Sequence, residues 1–159
     1  MIATLIHTEQ LVAKAGFVLP KPAKPIASYV PARRVGELVF VSGQIPVIDG
    51  RLIAEGTVPN EVDVETAIKC ARQCVLNAIA AVYTAIKPEE GIDQIVRLGC
   101  FVASVPGFVD QPKIANGASE LLVSVFGEPG KHARAAVGCI ALPINAPVEI
   151  ELIAQIGRA

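Results

Sequence analysis

The chain contains no tryptophan, and aromatic residues make up only 4% of its 159 positions. That scarcity removes the stacking platforms on which single-stranded nucleic acids bind. Charge is thin as well, at 18% of residues, where about 25% is usual in a soluble domain. The net charge is −1 and the pI about 6.1, and the only adjacent basic pair is Arg33-Arg34. A protein that grips a phosphate backbone needs a basic face, so no nucleic-acid partner is expected. No apolar run approaches the roughly 20 residues that span a bilayer. The N-terminus shows no basic stretch leading into an apolar one, so no secretory signal is read and a cytoplasmic, non-membrane protein is expected. Cysteines number four, and the only close pair, Cys70 and Cys74, has neither the histidines nor the second cysteine pair of a zinc site. They read as small buried thiols in a reducing compartment, with no metal expected.

What the chain does have is apolar side chains, 52% of the total, with a mean hydropathy of +0.52. The length suits one domain with a real core. With membrane insertion set aside, the apolar excess predicts surface hidden between copies of an oligomer.

Residues 4–15 predict a short helix, with Thr4 as cap, Leu5, Leu11 and Val12 on its apolar side, and Gly16 as stop. "LPKPAKP" follows as an extended connector, because proline cannot continue a helix. Residues 1–27 are thus an appendage and 28–159 the domain proper. Strands are predicted at 28–34 and 38–45, joined by a Gly36-Glu37 turn, followed by an Asp49-Gly50 turn. The clearest helix spans 62–86, where apolar residues recur at three and four, with Asn60 or Asp63 as cap and Pro88 as terminator. A strand at 93–105, a helix at 110–126 and strands at 132–141 and 147–156 complete the chain. For the second helix Asp110 is the expected cap and Gly127 the stop. The order β-β-α-β-α-β-β favours an α+β layered fold over a doubly wound one.

"GKHARAAVGCIALP" (130–143) reads as a buried strand with one anomaly, Arg134. Strand alternation puts His132, Arg134, Ala136 and Gly138 on one face, and Ala135, Val137 and Cys139 on the other. The small neighbours on the arginine's face leave space beside it. A guanidinium in such a space can hold a carboxylate through two parallel N–H···O bonds. The plainer alternative is a structural pair with Glu149 or Glu151. Those glutamates alternate with Val148, Ile150 and Leu152 and could equally form a solvated strand face. His132 shares the arginine's face but reads as an ordinary lone histidine, and His7 belongs to no motif.

Two segments resemble one family. "LVFVSGQIPVIDGRL" (38–52) is similar to the strand-turn of the RidA/YjgF family, also known as L-PSP endoribonuclease-like. "HARAAVGCIALPINAPVEIELIA" (132–154) resembles that family's C-terminal signature, and the long helix between them fits. The resemblance covers roughly residues 28–156, with a spacing "GEPGKHAR" unlike that of the best-known imine deaminases. It implies a chorismate-mutase-like fold, a sheet with two helices on one face. It also implies a homotrimer with ligand clefts between subunits and a cofactor-free hydrolysis of 2-imino or enamine acids to 2-keto acids and ammonia. Carried over residue by residue, the carboxylate-binding arginine is Arg134 and the glutamate near the site is Glu149. Tyr29, Ser42, Gly43, Asn116 and Ala136 are implied to line the ligand. At Ala136 the chain departs from the deaminases, which have cysteine there. A non-catalytic carboxylate-binding or stress-related interaction protein is therefore the alternative, and endoribonuclease activity is not expected.

Overall fold

A computed structural model describes residues 3–22 and 28–158. Part of the Pro-rich connector, 23–27, lies outside the described residues. The elements are β1 (Ala3–Thr4), α1 (Leu5–Lys14), β2 (Ala32–Val35), β3 (Leu38–Gln44), β4 (Val47–Ile48) and β5 (Arg51–Leu52). They continue with α2 (Val64–Val82), β6 (Glu90–Ala103), α3 (Gln111–Phe126), β7 (Ala133–Cys139) and β8 (Val148–Arg158). The main sheet runs β1-β6-β8-β3-β2, with β7 beside β6 on the edge that β1 also occupies, and β4 and β5 form a separate hairpin. β6 and β7 pair in parallel, because α3 carries the chain back across the sheet between them.

β8 sits at the centre and shows why the layers form. Its residues alternate buried and half-buried along the strand, so Val148, Ile150, Leu152, Ala154 and Ile156 all point to one side. The helices cover that side alone. From Cys74 to Val82 every residue of α2 is buried, since the sheet lies on one flank of the helix and α3 on the other. Asp63 caps α2 by accepting a hydrogen bond from the Thr66 N–H at 2.7 Å. The Gly36-Glu37 and Asp49-Gly50 turns form as expected, with positive φ at Gly36, Asp49 and Gly50. Neither Thr4 nor Asp110 makes a side-chain cap bond, and α2 stops at Val82, four residues before the expected end. Val12 of α1 enters the same core as the sheet and helices. Glu90, buried at the start of β6, accepts from the Lys87 N–H at 2.9 Å and from Arg34 at 2.7 Å, and these bonds hold its carboxyl below the usual range.

One expectation is corrected. β7 is an edge strand rather than a buried one, exposed or half-exposed at all seven residues. It pairs with β6 on one side, and of its small apolar residues Ala136 packs against the core while Ala133, Ala135 and Val137 are exposed.

α2 and α3 touch at Gly117, where a Cβ would stand 2.7 Å from the carbonyl oxygen of Ile68. Helix propensity alone would reward alanine there by about 1 kcal/mol. A collision with main-chain oxygen cannot be relieved by a rotamer change and costs about 1–3 kcal/mol. Gly117→Ala is therefore expected to lower stability by about 1 kcal/mol net, read from the urea midpoint; an unchanged midpoint would mean the helices part freely.

Candidate functional site

Arg134 lies on the helix side of the edge strand. Register fixes this: Arg134 stands opposite Leu98, and Leu98 opposite Leu152, both core residues. The guanidinium reaches over α3. Its Nη1 donates to Asn116 Oδ1 at 2.8 Å and to Ser119 Oγ at 3.1 Å, and Nη2 donates to the Pro112 carbonyl at 3.4 Å. Asn116 and Ser119 are three apart on α3 and so share one face. All three acceptors are neutral. A carboxylate in their place would hold the arginine equally well but cancel its charge. Of the five guanidinium hydrogens, the one on Nε and one on Nη2 have no acceptor among the described residues. The Nε–H and the Nη2 amino group lie side by side on one edge of a guanidinium, with the spacing of a carboxylate. Ser119, Val123, Lys131, His132 and Arg134 line a shallow depression of about 260 Å³.

Ala136 follows on the same face, half-buried against the core and directly opposite Cys100. The departure from cysteine at 136 thus has a thiol in the next strand. That thiol is 1% exposed, and burial pushes it up to about 12 although the Arg134 charge pulls it down, so it stays protonated. Cys139 points to the opposite face, as alternation predicts.

Glu149 lies elsewhere. It pairs in register with Phe101, which pairs with Val137, so all three project from the helix-free face of the sheet. β6 separates its strand from β7, so the two strands are about 10 Å apart. Arg134 and Glu149 are therefore not brought together within one chain, and neither forms the structural pair that sequence left open. The Glu149 side chain lies over Gly43, where a Cβ would collide with the carboxylate. Burial raises its pKa, and the Glu151 charge raises it further. No hydrogen bond or ion pair reaches it among the described residues. Glu151 bends the other way, over Gly99, to accept from Arg97 Nη1 at 2.6 Å.

Ser42 joins this second group. It precedes Gly43, donates its hydroxyl to the Val30 carbonyl at 2.7 Å and its N–H to the Pro31 carbonyl at 3.0 Å. Those bonds tie down the segment that carries Tyr29, whose side chain is exposed. The sequence-derived residues thus fall into two groups: Arg134, Asn116 and Ala136 on the helix side at one edge, and Tyr29, Ser42, Gly43 and Glu149 around β3 and β8. Sequence reasoning missed Ser119 and Arg97. The spacing of Asn116 and Ser119 was a usable signal for the first, while the second depends on a cross-strand register that no local pattern reveals.

A family model described as "YjgF/chorismate_mutase-like, putative endoribonuclease" matches residues 8–156. The chain is 36% identical over 146 residues to Protein TCP17 of Trypanosoma cruzi, with 91% of each covered. A crystal structure of a protein of unknown function from Agrobacterium tumefaciens is 42% identical, with a TM-score of 0.82 and coverage of 94% of this chain and 91% of that one. The YjgF gene product of E. coli is 26% identical, with a TM-score of 0.59 and coverage of 87% and 94%. No helix among the described residues is long and apolar enough to cross a membrane. The family match over nearly the whole chain agrees with the one-sided helical layer and with both sequence motifs, and the chain belongs to the YjgF/chorismate mutase-like family.

Proposed function

We propose that the protein is a cofactor-free hydrolase of small 2-imino or enamine acids. It works as a homotrimer in which the Arg134 group of one copy closes on the Glu149 group of the next. One observation carries this reading: an arginine held by neutral acceptors with a free carboxylate-sized edge, and an unpaired, half-buried glutamate on the other face of the same sheet. Neither half suffices alone. The helix-free face also exposes Val35, Phe40 and Val137, which supports its being covered by further copies. Four free cysteines suit a reducing cytoplasm.

In this reading the substrate carboxylate takes the two free N–H groups of Arg134. Water adds to the carbon of the protonated imine, and Glu149 receives a proton from that water to give a neutral amino alcohol. Glu149 then returns the proton to the nitrogen as the C–N bond breaks, and the hydroxyl proton leaves with the departing ammonia as ammonium, giving the 2-keto acid. A carboxyl with a raised pKa is a better base for this work than an ordinary one. Ala136 favours one other reading, a trimer that binds the same small carboxylates without turning them over. Generating a 2-imino acid enzymatically and following its loss separates the two. Acceleration that Arg134→Ala abolishes supports the hydrolase, and pyruvate binding without acceleration supports the binder.

The two-copy site makes an unusual prediction. Arg134→Ala and Glu149→Gln are each expected to be inactive, yet a refolded equal mixture should recover about a quarter of wild-type activity, because one site in four draws both intact residues from different copies. A mixture as inactive as its components would place both residues in one chain's site. Gly43→Ala should push the Glu149 carboxylate from its cradle, cutting kcat/KM by at least tenfold while the urea midpoint stays near wild type. A fully active Gly43→Ala protein would detach that glutamate from the reaction.

The pH profile tests the electrostatics. Glu149 is raised by burial and by Glu151, so kcat/KM should fall on the acid side at a pH above the ordinary carboxylate range. Glu151→Gln removes the repulsion and should move that limb to lower pH. Arg97→Met leaves Glu151 uncompensated and should move it higher. A limb indifferent to both substitutions would mean another group governs it.

A further inference from the structure

The arginine side of the site holds more machinery than the proposed reaction has used. His132 Nδ1 is 2.7 Å from the Gly130 carbonyl oxygen, and its Nε2 is 3.0 Å from Ser119 Oγ. A carbonyl oxygen can only accept, so Nδ1 carries a proton, and in the tautomer with that single proton Nε2 offers a lone pair. Ser119 then donates its hydroxyl to His132 and turns a lone pair toward Arg134 Nη1. The bonds run in one direction, from Arg134 to Ser119 to His132 to Gly130. The last acceptor is closely packed: Gly130 is buried, and a Cβ there would strike the Leu122 carbonyl of α3. Serine and histidine thus tie the guanidinium to the backbone. This series of hydrogen bonds includes no carboxylate, so the arginine is steadied with its charge intact.

We propose that Ser119 and His132 are positioning residues of the anion site, fixing Arg134 with its free Nε edge turned outward for the ligand carboxylate. This rests on Arg134 being the carboxylate anchor. An arginine has four side-chain torsions, and holding it in one orientation before the ligand arrives removes an entropic cost from binding. The relay acts on the carboxylate end of the ligand alone. It therefore strengthens substrate and product binding alike and should show in KM rather than in kcat.

The experiment measures pyruvate binding by titration calorimetry on the assembled protein, and imidazole ¹⁵N signals on the ligand-free protein. His132 should show the tautomer protonated at Nδ1. Ser119→Ala and His132→Leu should each weaken pyruvate binding roughly three- to tenfold, the range of one lost hydrogen bond. His132→Gln, whose amide oxygen can accept from Ser119 where Nε2 did, should restore most of the affinity; a purely packing role for the ring would predict no such rescue. Thermal midpoints check that each variant is folded. If Ser119→Ala and His132→Leu bind pyruvate like wild type while Arg134→Ala does not, the relay is overturned and the anchor stands. If Arg134→Ala itself binds normally, the anchor reading falls and the relay falls with it. An Nε2-protonated tautomer at His132 would also overturn the relay, because the serine hydroxyl would then have no acceptor there.

Discussion

The period of two along a β-strand is the constraint from which the rest of this molecule follows. Every residue of the sheet must choose one face, and helices cover only one of them. β8 obeys the alternation over its whole length, which gives the core its apolar row and leaves Glu149, Glu151, Ile153 and Gln155 on the other side. β7 obeys it too, but at the rim of the sheet, where the helix-side residues lean over α3 instead of under it. Arg134 can therefore bind Asn116 and Ser119 while its guanidinium stays open to solvent. The separation of arginine from glutamate is a consequence of backbone geometry, and no rotamer could reverse it.

Glycine does the positioning that side chains usually do. At Gly43 and Gly99 the missing Cβ lets a neighbouring glutamate lie flat across the next strand, in opposite directions. The two carboxylates are thereby spread apart although they are only two residues apart on the same face. Glu151 pairs with Arg97 at 2.6 Å, while Glu149 has no such partner among the described residues and its pKa is raised by burial and by the Glu151 charge. The arginine half works by the opposite principle, with one charge and a set of dipoles that hold it without opposing it.

Much of the fold was legible in the sequence because it is written in local patterns. The 3.6-residue stripe of α2, the Gly36-Glu37 and Asp49-Gly50 turns, and the alternation of 148–156 each declare themselves within a dozen residues. The face of Arg134 and the misdirection of Cys139 followed from the same alternation. What was not legible is whatever depends on which strand lies beside which. Nothing in "GKHARAAVGCIALP" says that it forms an edge, since small apolar residues are equally at home in a buried strand. The position of Cys100 beside Ala136 and the Arg97–Glu151 pair arise from register between strands distant in sequence. Ser119 lay between the two kinds of information: its spacing from Asn116 was visible, but its partners were not.

The cradle at Gly43 has a cost that the fold must carry. A glutamate whose folded-state pKa is raised binds its proton more tightly in the native protein than in the unfolded chain. As pH rises from the unfolded value through the folded one, the native state loses part of its advantage, and above that window it carries the full penalty of an ionised, half-buried and unpaired carboxylate. Near neutral pH Glu149 therefore works against the stability of its own sheet.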